Sequence, residues 1–380
     1  MDFELSERQK MFEDAFHAFC EKEVVPLVDE CEEKEKFPVE LMPKMGKLGY
    51  LGITYPEQYG GAGVDKITDT IYCEELGYVC LGIGRSIMGH CCTGTRPIYL
   101  FGTEEQKQIY LVPAIKGIKK SCFALTEPNA GSDNRAMETK AKRDANGYII
   151  NGTKVWASNA TFCDYAIVPA YTDTSQGYRG ISLFIVDKGT PGFNIVRKIR
   201  KESLHSMETT ELSFEDCRVP EKNLIGEKEG AFLTIMGAID IARVDVGAAV
   251  TGLAQAAYDT ALNYAKQRVA FGRPIGQHQA IGFKLVDMAT EIEAARLLVR
   301  KAAWLVDIGQ NSTRLDSMCK LFASEVAVRV AREAVQIHGG YGFDSELPLM
   351  RYLRDALTYT VGEGTSEMQR RIIMRELGLR

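Results

Sequence analysis

Near its C-terminal end the chain reads Gly362-Glu363-Gly364-Thr365-Ser366-Glu367, a carboxylate between two glycines. Flanking glycines let backbone approach a ligand closely, and a carboxylate presented there is free to act as a base. The same residues also read as a helix start, with Thr365 or Ser366 capping a helix that runs through Arg375. Four other stretches carry groups suited to a large ligand. Ala124-Leu125-Thr126-Glu127-Pro128-Asn129-Ala130-Gly131-Ser132-Asp133 leaves a strand for a loop of small residues. Its N–H groups and hydroxyls suit an anion or a polar ring edge, and a tight glycine turn is the plainer alternative. In Asn151–Asn159, Trp156 stands two residues from Ser158, so strand alternation predicts both on one side, as a seat for a planar cofactor or as core. The last two segments are Arg268-Val269-Ala270-Phe271-Gly272-Arg273-Pro274-Ile275, with Gln279 following, and Gln336-Ile337-His338-Gly339-Gly340-Tyr341-Gly342. Each falls where a long helix is expected to break or stop.

The elements that position these residues are marked out by proline and by hydrophobic period. Between 221 and 347 only Pro274 interrupts the chain, and apolar residues recur at helical spacing: Phe232, Ile235, Met236, Ile239 in one run, Leu285, Met288, Ile292, Leu297 in another. Long packed helices are expected there, the last stopping at the paired glycines 339 and 340. Residues 1–115 show shorter amphipathic patterns joined by Gly- and Pro-containing turns. From about 120 to 220 the pattern changes to short runs rich in β-branched and aromatic residues, such as GYIINGTKVWASNA, YAIVPAYT, GISLFIVDKG and TTELSFEDCRVP. Helices, then strands, then helices, without βαβ alternation or a GxGxxG after a strand, exclude a Rossmann fold.

Composition narrows the function classes. At 380 residues the chain is enzyme-sized, and 46 Lys+Arg against 51 Asp+Glu leave a net charge of −5, without the basic excess that nucleic-acid backbones call for. No run approaches 18 apolar residues, so no membrane span is expected, and the charged N-terminal residues argue for a cytoplasmic protein. The 10 cysteines show neither CxxC nor any other metal spacing and read as reduced thiols.

Taken in order, LTEPNAGSD, QRVAFGRPI, QIHGGYGF and EGTSEMQRRI resemble the signatures of the acyl-CoA dehydrogenase family, and the resemblance runs over essentially the whole chain. It implies an α+β, mainly α fold: an N-terminal α-helical domain over 1–118, a central β-domain, barrel or sandwich, over 119–222, and a C-terminal four-helix domain over 223–380. It further implies FAD as cofactor, an acyl-CoA substrate, electron-transfer flavoprotein as acceptor and a homotetramer, with no metal, nucleic-acid or membrane partner. Glu363 matches the base that takes the α-proton while hydride leaves Cβ for the flavin. Some relatives place the base immediately before Arg243, where this chain has Ala242. Phe123, Thr126, Trp156 and Ser158 match positions lining the flavin ring, and Ser132 one near the flavin pyrophosphate and CoA. Arg268, Phe271, Gln279, Gln336 and Gly340 match contacts to the FAD of a neighbouring subunit, and Thr365 and Glu367 further FAD contacts. Asp240 and Arg243 match a pair at the CoA mouth, and Gly362 and Gly364 border the acyl group. Acyl-CoA oxidases and a non-catalytic flavoprotein are the rival readings.

The chain departs from that pattern in three places. The family commonly has an aromatic before the base, and here Gly362 replaces it, so the pocket is expected to open for a cyclic, branched or otherwise bulky acyl group unless another side chain fills the gap. In Leu81–Cys92, Arg85 stands one residue past the position of the arginine that holds the distal carboxylate in glutaryl-CoA dehydrogenases. One residue rotates a helical side chain by about 100°, so Arg85 is expected to point away, with a dicarboxyl substrate as the alternative. His90, Cys91 and Cys92 fall beside the same end of the pocket. Met207 replaces the family's usual serine, with no consequence that the sequence reveals.

Overall fold

The computed structural model describes residues 4–226, 232–310 and 312–379, and of residues 232–240 the backbone alone. The N-terminal segment folds into helices α1 (Glu7–Glu23), α2 (Val28–Glu33), α3 (Leu41–Lys47), α4 (Lys66–Met88), α5 (Arg96–Phe101), α6 (Glu104–Gln106) and α7 (Val112–Ile115). Helix α1 starts at a capping box, Ser6 accepting from the Gln9 N–H while the Gln9 side chain accepts from Ser6. Helix α4 is kinked at Cys80, whose backbone is extended (φ −162°, ψ 109°), and the chain continues through a π-helical stretch at Gly89–Gly94.

Seven strands follow: β1 (Ser121–Phe123), β2 (Lys140–Asp144), β3 (Gly147–Ser158), β4 (Tyr165–Tyr171), β5 (Ile181–Asp187), β6 (Phe193–Lys198) and β7 (Thr209–Pro220). Strand β1 pairs with both β3 and β4, and β2 with the same two, so these four close into a ring. Strand β5 extends it from β4, and β7 and β6 from β3. Strand β2 carries no apolar run; in KAKRD only Ala141 is buried.

The C-terminal segment holds α8 (Phe232–Gln267), a two-residue hairpin of β8 (Val269–Ala270) and β9 (Arg273–Pro274), then α9 (Gln279–Asp307), α10 (Thr313–His338), α11 (Leu349–Thr358) and α12 (Ser366–Glu376). Helix α10 stops at Gly339 (φ 59°), as the paired glycines predict.

One apolar core joins the helices of the two ends: Phe16, Met45, Tyr72 and Ile87 belong to the same buried cluster as Val250, Val299 and Val330. Helix α4 crosses α8 backbone against backbone. A Cβ at Gly77 would lie 1.8 Å from Ala249 O, and one at Gly252 would lie 1.9 Å from Glu74 O, so no larger residue fits at either position.

Buried charges pin the segments together. Lys66 and Asp69 on α4 form a closed cluster with Arg96 on α5 and Asp245 on α8: Lys66 Nζ donates to Asp69 Oδ2 (2.7 Å) and pairs with Asp245, and Arg96 Nη1 lies 3.5 Å from Asp245 Oδ2. Asp69, Cys73 and Asp245 have metal-ligand spacing, yet Lys66 and Arg96 already supply two positive charges to that carboxylate pair. Glu32 on α2 accepts from Ser206 N (3.0 Å), in the loop before β7, and from Arg354 Nη2 (2.5 Å) on α11. Among the described residues no helix is long and apolar enough to cross a membrane.

Candidate active site

Helix α12 begins where Thr365 accepts from Met368 N, so the capping reading of Thr365 holds, and the turn just before it presents Glu363. The backbone there is left-handed, with φ 57° at Glu363 and 88° at Gly364. A side-chain-bearing residue persists in that conformation only when its surroundings hold it. Gln369 Nε2 donates to Glu363 O (3.2 Å) and Gly364 O (3.1 Å), and Lys320 Nζ donates to Gly364 O (2.7 Å). Lys320 and Gln369 are both wholly buried. Burial pulls the Lys320 ammonium down to about 8, against the opposing pull of Glu363.

The Glu363 side chain keeps 19% of its surface exposed, and Arg85 Nη2 donates to Glu363 Oε1 at 2.6 Å. Arg85 points into the site, contrary to the expectation that a one-residue offset turns it away. The offset argument needs an uninterrupted helix, and the extended backbone at Cys80 breaks the 100° count five residues earlier. Tyr359 fixes the guanidinium from the other side: its hydroxyl accepts from Arg85 Nε at 2.6 Å, and its ring centroid lies 5.2 Å from the guanidinium carbon. The phenol is buried, which pushes it up to about 12 and keeps it protonated. Tyr359 also borders the space beside Gly362, where a Cβ would lie 3.6 Å from Tyr359 Cε1.

The neighbouring residues His90 and Cys92 are structural. His90 is wholly buried; its Nδ1 accepts from Ser121 N (3.1 Å), which leaves the proton on Nε2 to donate to Ala114 O (3.1 Å). Burial pulls this imidazole down to about 4. The Cys92 thiol donates to Asp245 Oδ2 (3.5 Å), and Cys91, half-buried, offers its carbonyl to the Tyr55 hydroxyl (2.6 Å).

The residues matched to the flavin ring meet at one rim of the β-domain. Phe123 stands opposite Ser158 in the β1–β3 pairing, and Val155 N donates to Thr126 O (2.8 Å). Trp156 is 57% exposed with φ 59°, at a bulge between Lys154 and Ala157. Ala157 between Trp156 and Ser158 is buried, while both of those keep exposed surface. Beneath the rim, Lys154 and Glu127 form a fully buried pair (2.7 Å), and Glu127 also accepts from Thr139 N (3.1 Å) and Glu138 N (2.5 Å). That pair fixes the loop leading to Ser132, which is exposed beside Gly131, where an added Cβ meets nothing within 4 Å.

A second group lies at the far end of the C-terminal helices. A cavity of about 730 Å³ is lined by Arg268, Gln336 and Gly340 together with Tyr264, His338 and Tyr341. Phe271 projects from the β8–β9 hairpin tip, 97% exposed; both central residues, Phe271 and Gly272, have positive φ, as a tight hairpin turn requires. Gln279 is exposed at the start of α9 and Glu367 in the first turn of α12. Arg243 is buried between α8 and α10, its Nη1 3.5 Å from Ser317 Oγ, rather than on an open mouth. The Asp240 side chain lies outside the described residues.

These features fit an extended dinucleotide. An open rim with an aromatic face and two hydroxyls suits a flat ring, and a separate basic, amide-lined cavity beside glycine backbone suits the diphosphate and adenosine. Sequence reasoning missed Lys320, Gln369, Tyr359 and the Lys154–Glu127 pair. For Lys320 a signal existed: it shares the helical face of Ala323, Ala327 and Ala331, all buried.

Comparison with known proteins adds the following. Residues 6–118 match the model of the acyl-CoA dehydrogenase N-terminal domain, 122–217 that of the middle domain and 231–378 that of the C-terminal domain. A probable acyl-CoA dehydrogenase, YngJ, of Bacillus subtilis (strain 168) is 43% identical over 378 residues, covering 99% of this chain and 100% of the relative. The structure of butyryl-CoA dehydrogenase from Megasphaera elsdenii superposes with a TM-score of 0.96 at 41% identity, covering 99% of this chain and 100% of that one. A glutaryl-coenzyme A dehydrogenase in complex with glutaryl-CoA gives 0.96 at 35% identity, covering 100% and 98%.

Proposed function

Since the chain belongs to the acyl-CoA dehydrogenase family of FAD-dependent oxidoreductases, we propose that it desaturates the Cα–Cβ bond of a short dicarboxylic acyl-CoA. Glu363 is the base that takes the α-proton, and bound FAD supplies the two-electron acceptor for the hydride from Cβ. Phe123, Thr126, Trp156 and Ser158 seat the flat end of FAD. Arg268, Gln336 and Gly340, with Phe271 reaching out from its hairpin, hold the adenosine end of a cofactor shared with a second copy in a homotetramer. The electrons leave to electron-transfer flavoprotein.

The observation that carries the substrate reading is Arg85. A cation nine-tenths buried beside an acyl pocket is costly without an anion, and in the resting site it uses Glu363 itself. A substrate carboxylate that takes over Arg85 frees Glu363 for the α-carbon. A purely alicyclic group is the weaker reading, because Tyr359 and Arg85 wall the space that Gly362 opens with a hydroxyl and a charge.

Anaerobic titration of the purified holoenzyme with glutaryl-, succinyl-, butyryl- and cyclohexanecarboxyl-CoA tests this through bleaching of the flavin band. A dicarboxylic thioester is expected to bleach fastest, and a strong butyryl preference refutes the substrate assignment. Glu363→Gln is expected to keep FAD and lose bleaching; bleaching at the normal rate would remove Glu363 from the role of base.

A further inference from the structure

We infer that Lys320 and Gln369 are positioning residues for catalysis: together they hold the Glu363–Gly364 peptide in its left-handed turn and so aim the base. The inference needs Glu363 to be the base but is independent of which acyl group is oxidised.

Three observations carry it. The first is the turn, where Glu363 at φ 57° occupies a conformation that side-chain-bearing residues leave unless held. The second is the density of bonds on two consecutive carbonyls. Glu363 O and Gly364 O both accept from Gln369 Nε2, and Gly364 O accepts a second bond from Lys320 Nζ. Neither donor belongs to the turn: Lys320 comes from α10 and Gln369 from inside α12, so the turn is fixed to both helices. The third is the nature of the donor. Lys320 is wholly buried, and among the described residues no carboxylate lies within ion-pair distance of its ammonium. A buried ammonium spent on a backbone carbonyl is poor structural economy, and such groups cluster where chemistry is done. Glu363, Arg243, Glu325 and Glu367 are the charged groups facing it, and only Glu363 lies on the turn it grips.

Releasing either carbonyl lets the two-peptide turn relax, which moves the carboxylate and the N–H of Glu363 together. A displacement of about 1 Å at a reacting group is worth about 100-fold in rate. FAD-loaded, full-length Lys320→Met and Gln369→Met are therefore each expected to turn over about 100-fold more slowly per bound flavin, with KM within about threefold. Glutaryl-CoA and butyryl-CoA serve as parallel probes, and both are expected to show the loss. With α-deuterated thioester the primary isotope effect on flavin reduction is expected to rise, because proton removal is the step that suffers. A purely structural role would lower Tm and flavin content and leave turnover per flavin and the isotope effect unchanged; that result overturns the inference. Loss of the fold in both variants also overturns it, by making the pair a support of the bundle. If Glu363→Gln is inactive while both variants run normally, only this inference falls; if Glu363→Gln is active, the base assignment falls with it.

Discussion

Two buried charge clusters sit toward opposite ends of helix α4 and follow different rules. Around Lys66 the cations Lys66 and Arg96 face the carboxylates Asp69 and Asp245, and the Cys92 thiol donates to one of them. Burial opposes the charge on Lys66, but Asp245 and Asp69 more than offset it and raise the ammonium above the ordinary lysine range. Around Glu363, two cations, Arg85 and Lys320, serve one carboxylate and its turn, and burial lowers Lys320 instead. The first cluster is balanced and complete, so it stabilises and does nothing else. The second sets two buried cations on a left-handed carboxylate and its turn, the strained and charged arrangement that marks a candidate functional site.

The contrast breaks most clearly at Asp245. Asp245→Asn strips one carboxylate from a balanced cluster and is expected to cost about 3–5 kcal/mol in urea unfolding, while turnover per flavin stays normal below the transition. A loss under about 1 kcal/mol would mean that the cluster is not paired in solution.

Alkaline pH sharpens the difference. Burial also pulls Lys154 and Lys201 down to about 8; for Lys320, near 8 when folded and near the ordinary 10.5 when unfolded, the unfolded chain binds the extra proton between those values, so its own contribution to stability rises with pH. The gain is at most about 3 kcal/mol, and it should vanish in Lys320→Met. Lys66, raised rather than lowered, contributes none of it. A stability difference between the wild type and Lys320→Met that does not change from pH 8 to 10 would contradict this.

Arg85→Met tests the second cluster directly. It is expected to lower kcat/KM for a dicarboxylic probe by about 100-fold, about 2.7 kcal/mol, and to spare butyryl-CoA, so that selectivity collapses. Equal losses on both probes would make Arg85 a general support of the base. The smallest effect on stability belongs to the cap: Thr365→Ala is expected to cost about 1 kcal/mol in thermal unfolding.

The order helices, strands, helices was legible because proline spacing and the change of hydrophobic period are written in single residues, whereas Glu363 was singled out by the family resemblance, since its flanking glycines alone read as readily as a helix start. Strand β2 was not legible, since KAKRD buries only Ala141 and carries no apolar alternation. The direction of Arg85 was hidden by the kink at Cys80, which depends on packing rather than on any breaker residue in the sequence. Lys320 was passed over because a lysine in an amphipathic helix reads as solvated surface, although its place on the face of Ala323, Ala327 and Ala331 signals burial; its partner Gly364 is visible only in the fold. The bulge at Trp156 likewise needs β7 opposite it before the extra residue shows.

Glu32 has a consequence for how such a chain can be rearranged. It lies in the first forty residues, yet its carboxylate is satisfied by an amide from the loop before β7 and by an arginine from α11. A chimaera joined near residue 120 or 225 that brings in a segment lacking the Ser206 turn or Arg354 leaves that carboxylate buried and unanswered. The three segments therefore travel through recombination as one linkage group, despite the tidy boundaries at which they could be cut.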